Sequence, residues 1–181
     1  PYMQHRFSVK AQKMIEAKHR AGSKAGNKRN KEPRDFEDEC EAAKYISREG
    51  WNGIPASVFR NGAVSACRLI GFKMTLAKLS IFVEADGFDK FDGTPLIRIT
   101  GEPVMDVRPV RLETGVVSIC ARPRWDVWSA TPKIRWNARQ FSAEDVANLI
   151  AHVGSSVGIG EGRPDSPNSN GMGFGLFEVR A

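Results

Sequence analysis

Seven of the chain's 17 glycines fall within 22 residues near its end: Gly154, Gly158, Gly160, Gly162, Gly171, Gly173 and Gly175. A helix candidate, Ser142 to Val153, precedes the run and a short apolar strand candidate, Phe174 to Val179, follows it. The glycines therefore form a helix-to-strand connection. Glycine enters φ > 0 freely and lets another backbone come close, which a loop needs if it is to hug a phosphate chain or a neighbouring subunit. Pro164, Asp165, Ser166, Pro167, Asn168, Ser169 and Asn170 would equally suit a long surface loop, so composition leaves both readings open. Two phosphate-binding patterns are excluded. No Gly-Lys-Ser/Thr follows, and the loop leads into a strand rather than opening a helix.

Upstream, residues 1–9 read as part of a first strand, and residues 10–44 as a charged arm or extended hairpin, basic and then acidic, broken by Gly22, Gly26 and Pro33. Residues 45–181 read as the remainder of the core. Pro55 opens a helix over Ala56 to Ile70, closed by Gly71, with Val58, Phe59, Ala63, Ala66, Cys67 and Ile70 forming its buried stripe. The middle is rich in β-segments: Ser80 to Ala85, Leu96 to Gly101, Val104 to Leu112, Val116 to Arg122 and Val127 to Trp136. Arg122 to Asp126 reads as a hairpin connection, and Pro132 marks an edge or a bulge. Ser142 is predicted to cap the last helix, with Asp145 completing a capping box. Without the extra β-segments the order is βαββαβ. The expected class is α+β, a ferredoxin-like (RRM-like) core with extra β-segments and an inserted basic arm.

The net charge of +6 is local. Between Lys10 and Arg34, nine Lys or Arg stand against two Glu, a net of +7 that leaves −1 for the rest of the chain. Such an arm suits a polyanion partner, with Lys10, Lys13, Lys18, Arg20, Lys24, Lys28 and Arg29 acting by counterion release. A second basic set, Arg108, Arg111, Arg122, Arg124, Lys133, Arg135 and Arg139, interleaves with Trp125, Trp128 and Trp136. Trp125, at the tip of the expected hairpin, is the candidate for stacking on a base, and Arg60 on the first long helix is a candidate for a phosphate.

The inventory for catalysis is thin. His5, His19 and His152 are isolated, Cys40, Cys67 and Cys120 are scattered, and Asp86, Asp89 and Asp92 lack the alternate spacing of a Ca²⁺ loop, so neither metal nor cofactor is expected. The sparse cysteines fit a reducing, cytoplasmic setting, and no apolar run has the length of a membrane span.

The Gly-rich segments Gly158 to Pro164 and Gly171 to Val179, with Gly53-Ile54-Pro55-Ala56-Ser57 entering the first long helix, resemble the RAMP superfamily that supplies backbone subunits of CRISPR effector complexes. Ala56 stands where that family has a Gly. Met3-Gln4-His5-Arg6-Phe7 is similar to a run in bacteriophage proteins of comparable length. The resemblance implies an RRM-like core that binds single-stranded RNA or DNA through its backbone and assembles head to tail along it as a homo-oligomer. Family members that cut RNA use an Asp in an early loop, and no Asp precedes Asp35 here. The expected function is thus non-catalytic strand binding, with a metal-assisted endoribonuclease and a phage structural or assembly protein as alternatives. Gly158, Gly160, Gly171, Gly173 and Arg163 are expected to line the contact. Side chains at Gly160 and Gly173 are expected to abolish binding while the core stays folded.

Overall fold

A computed structural model describes residues 1–6, 13, 34–111, 117–166 and 172–180. Four helices and nine short strands lie among them, and every strand pairing is antiparallel. The chain is thus a mixed α+β protein.

The first long helix, α2 (Ala56–Ile70), runs as its periodicity dictates. Phe59, Ala63, Ala66 and Cys67 are buried, and Gly71 ends it at φ 73°, its N–H donating to the Cys67 carbonyl. Burying a side chain such as Phe59 stabilises the fold by about 1.5–3 kcal/mol. The last helix, α4 (Ala143–His152), carries the expected capping box: Ser142 accepts from the Asp145 N–H, and the Asp145 carboxylate accepts from the Ser142 N–H at 2.8 Å. Val146, Leu149 and Ile150 of α4 join the α2 stripe in one core, which also holds Tyr2, Ile54, Ile97, Trp125 and Ile159.

Two helices depart from expectation. Helix α1 (Phe36–Ala42) lies inside the predicted arm. Its N-cap is Asp35, whose carboxylate accepts from the Glu37 and Asp38 N–H groups, while Cys40 and, just beyond the helix, Ala43 are buried. The acidic end of the stretch assigned to the arm, residues 34–44, therefore carries a helix packed by its own buried residues. Helix α3 (Met74–Ser80) is too short to announce itself by period.

The strands form three sheets. One has the order β1 (Tyr2–Met3), β7 (Val117–Trp125), β6 (Val104–Arg111). In the second, β5 (Pro95–Thr100) lies between β2 (Gly53–Pro55) and β4 (Gly87–Phe88), and also pairs with β8 (Ser129–Ala130). The third pairs β3 (Ile81–Glu84) with β9 (Lys133–Trp136), Phe82 opposite Arg135. Pro132 does divide the segment expected over Val127 to Trp136, separating β8 from β9.

The expected hairpin connection at Arg122 to Asp126 is corrected. β7 continues through Pro123 to Trp125, because the Pro123 carbonyl still accepts from the Gln4 N–H at 3.1 Å and Trp125 has core to enter. The strand expected over Phe174 to Val179 is also absent. Gly173 and Gly175 take φ of 66° and 73°, which breaks the pleat, and the segment is tied by single bonds: Gly175 N–H to the Pro1 carbonyl at 2.7 Å and Phe177 N–H to the Gly154 carbonyl at 3.0 Å.

Candidate nucleic-acid interface

The Gly-rich loop starts from a single π-helical turn, Val153–Val157, that continues α4. Gly154 lets residue 177 pack directly on that turn, since a Cβ there would stand 2.2 Å from the Phe177 carbonyl oxygen. From Gly158 onward the loop folds back over β1. The Glu161 N–H donates to the Met3 carbonyl, and the Ile159 N–H to the Gly175 carbonyl at 3.0 Å. Its second half rests on the β6–β7 hairpin, where the Arg108 guanidinium stands 5.0 Å from the Phe174 ring centre and donates to the Met172 sulfur.

Between this loop, β1 and the exposed edge of α2 lies a half-open cleft of about 330 Å³. Val58, Asn61, Gly62 and Ser65 form its helix wall, and Val157 to Glu161 with Arg163 form the opposite one. Tyr2, Gln4, His5 and Tyr45 close the end. The charged groups around it are engaged. The Arg163 guanidinium donates to the Gly160 carbonyl at 3.0 Å, Asp165 pairs with Arg68, and Glu161 faces Arg122 at 3.5 Å. Burial and the Arg122 charge hold the His5 pKa below its ordinary 6.5, outweighing the opposite pull of Glu161, so His5 is neutral at neutral pH.

Of the expected contact residues, Gly158, Gly160 and Arg163 do meet in this cleft, and Arg122 stands behind it through Glu161. The glycines serve a different purpose from the one expected. A Cβ at Gly160 would stand 2.4 Å from the Tyr2 ring and 2.5 Å from the Met3 carbonyl oxygen, so the close approach is to the chain's own first strand. The expectation that a side chain at Gly160 spares the fold is corrected on that ground. Gly173 has open space around its Cβ position, with the nearest atom at 4.0 Å.

Three further residues are placed away from any ligand. Trp125 is fully buried against Tyr2, ring centres 5.7 Å apart, and its indole N–H donates to the Gly101 carbonyl, so no base can stack on it. Arg60 donates to the Ile81 and Lys78 carbonyls and joins α2 to the end of α3. Arg124 is shared between Asp106 and Asp126. Lys13 is exposed, while Lys10, Lys18, Arg20, Lys24, Lys28, Arg29 and Gly171 lie outside the described residues.

Tyr45, Asn61 and Ser65 were not selected from the sequence. The signal for two of them was present, because Asn61 and Ser65 are four apart on α2 and share a face next to its apolar stripe. Asp89 has a structural task instead of a metal: its buried carboxylate receives Arg6 and the N–H groups of Ile46, Phe91 and Asp92. No cluster of metal-ligating side chains occurs among the described residues.

Two carboxylates make the fold acid-sensitive. Asp106 is held below its ordinary 3.8 by hydrogen bonds from Arg108 and by Arg124, burial opposing. At Asp92 burial pushes upward, but the hydrogen bonds from Thr94 and the charge of Arg6 win, and its pKa is lowered too. A lowered carboxyl pKa means the unfolded chain takes up protons first, so the stabilisation is complete above the ordinary value and is lost as pH falls through the lowered ones. Urea melts should therefore weaken progressively below about pH 4, and Asp106→Asn should flatten that acid limb while lowering stability at neutral pH. No change in the limb would remove Asp106 as its cause.

No known protein family, curated protein or solved structure matches the chain.

Proposed function

We propose that the chain is a non-catalytic protein that binds single-stranded RNA or DNA through backbone contacts and assembles head to tail along the strand, built on a ferredoxin-like core. The chain order α2, β3, β9, α4 supports that core, with the antiparallel pair β3–β9 between the two long helices and β1 before them.

The observation that carries the binding reading is how the basic segment is mounted. Before it, β1 pairs with the end of β7 and Gln4 bonds Pro123. After it, Arg34 bonds Ser118 of the same strand at 3.0 Å and Glu39 at 2.6 Å. Five strand positions separate these anchors, about 17 Å. The residues flanking the basic segment on both sides are thus anchored to the same strand, β7. Asp35 caps α1, which gives the first Asp of the chain a structural role and weighs against cleavage, and Asp38 stands in the first turn of the same helix.

Labelled single strands titrated at low salt, with and without Mg²⁺, test this. A salt-sensitive shift without shortening is expected. Metal-dependent shortening would favour the endoribonuclease, and no shift would favour an assembly protein. Replacing residues 10–33 by about nine Gly/Ser residues spans the anchors. That variant should weaken all sequences alike and flatten the slope of log K against log salt by up to about 5, at ~0.7 per phosphate neutralised. An unchanged slope would refute the arm's role.

A further inference from the structure

The cleft between the Gly-rich loop and α2 has walls that suit a planar ligand. Half-buried Val58 stands on the helix side, Gly160 leaves the loop side without a side chain, and Val157 and Ile159 lie buried behind it. At about 330 Å³ it lies at the small end of ligand pockets. Its Glu161 and Asp165 pair with Arg122 and Arg68 outside the lining and its Arg163 bonds backbone, so among the described residues a phosphate would find no uncommitted Lys or Arg lining it. What remains available is neutral. The Tyr45 hydroxyl, the Asn61 amide and the Ser65 hydroxyl have no hydrogen-bond partner among the described residues. The Tyr2 hydroxyl, 1 % exposed, accepts from Gln4 at 3.3 Å, and its own proton has no described acceptor. Donors and acceptors without net charge, between apolar walls, are what reading the edge of a heterocyclic base requires.

Resting on the strand-binding reading, we propose that this cleft takes one unstacked nucleobase of the bound strand, its faces against Val58 and the backbone at Gly160 and its edge read by Tyr45, Asn61 and Ser65. The phosphates on either side stay outside the cleft. The protein then has a base preference that the basic segment alone would not give, since counterion release is blind to sequence.

Fluorescence anisotropy of the full chain with adenine, cytosine and uracil or thymine homopolymers of equal length tests this at about 200 mM salt, where the electrostatic share is reduced. One base is expected to be preferred about tenfold or more, the discrimination of a good bidentate contact. Asn61→Leu should bring the ratio between best and worst homopolymer towards one, and Ser65→Phe, which fills the cleft, should do the same. A circular dichroism melt establishes that each variant is folded. If Ser65→Phe fails to fold, Asn61→Leu and the wild-type ratio still decide. Equal binding of all homopolymers, or a ratio unmoved in folded Asn61→Leu, would overturn the base pocket and leave strand binding standing. No binding of any strand at low salt would overturn both.

Discussion

Gly175→Ala is expected to destabilise the fold by more than about 3 kcal/mol, the largest loss of any glycine-to-alanine change among the described residues. The added Cβ would stand 1.7 Å from the Ile159 carbonyl oxygen and 2.7 Å from its carbonyl carbon and nitrogen, at a φ of +73°. The obstacle is backbone, so no rotamer change relieves it. The overpacking therefore adds to the ~1–2 kcal/mol of left-handed strain. Gly173→Ala is the control. Its φ is +66° but its surroundings are open, so only the strain should appear. Urea melts followed by circular dichroism would give the two differences, and equal losses would show that backbone conformation alone, and not contact with Ile159, makes Gly175 necessary.

The second large effect is expected at Arg6, whose side chain is 5 % exposed and bonds Asp89 and Asp92, each at 2.8 Å. Asp89 is fully buried. Arg6→Ala would leave that carboxylate without its counter-charge, a change that destabilises by about 3–5 kcal/mol. Because the guanidinium also lies 4.9 Å from the Tyr45 ring centre, the variant should loosen one end of the cleft as well. The double variant Arg6→Ala/Asp89→Asn separates charge from packing. Removing the buried charge should recover part of the loss, and a double variant as unstable as the sum of the singles would show that the ion pair contributes nothing beyond the contacts of each residue.

What could be read from the sequence was whatever is decided within a few neighbouring residues. The α2 stripe and its Gly71 stop, the Ser142–Asp145 capping box and the division of a β-segment at Pro132 all follow from local chemistry. Trp125 could not be read in this way. Its flanking Arg124 and Asp126 look like a solvent-exposed turn, yet they pair with each other at 2.8 Å on one side of β7 while the indole enters the core on the other. Likewise α1 hid within a charged run, because its buried contacts, Cys40 and Ala43, are small and its partner β7 is far along the chain. The cleft was half legible. Its glycines and Arg163 stood out by composition, whereas Tyr2 and Tyr45 reach it only through tertiary packing.

The bond from Gly175 to Pro1 and the folding of Gly160 against Tyr2 also set a timetable. β1 is synthesised well before its pairing partner β7, which begins at Val117, and the loop that covers it comes later still. During synthesis Tyr2 and Met3, both fully buried in the finished protein, remain without a shelter until β7 and the Gly-rich loop have emerged. Non-local closure of this kind slows folding and leaves apolar surface and strand edges open to other chains meanwhile. A nascent chain stalled before the Gly-rich loop would hold α2 and its neighbours but carry an unpaired leading strand, and is thus the form of this protein most in need of a chaperone.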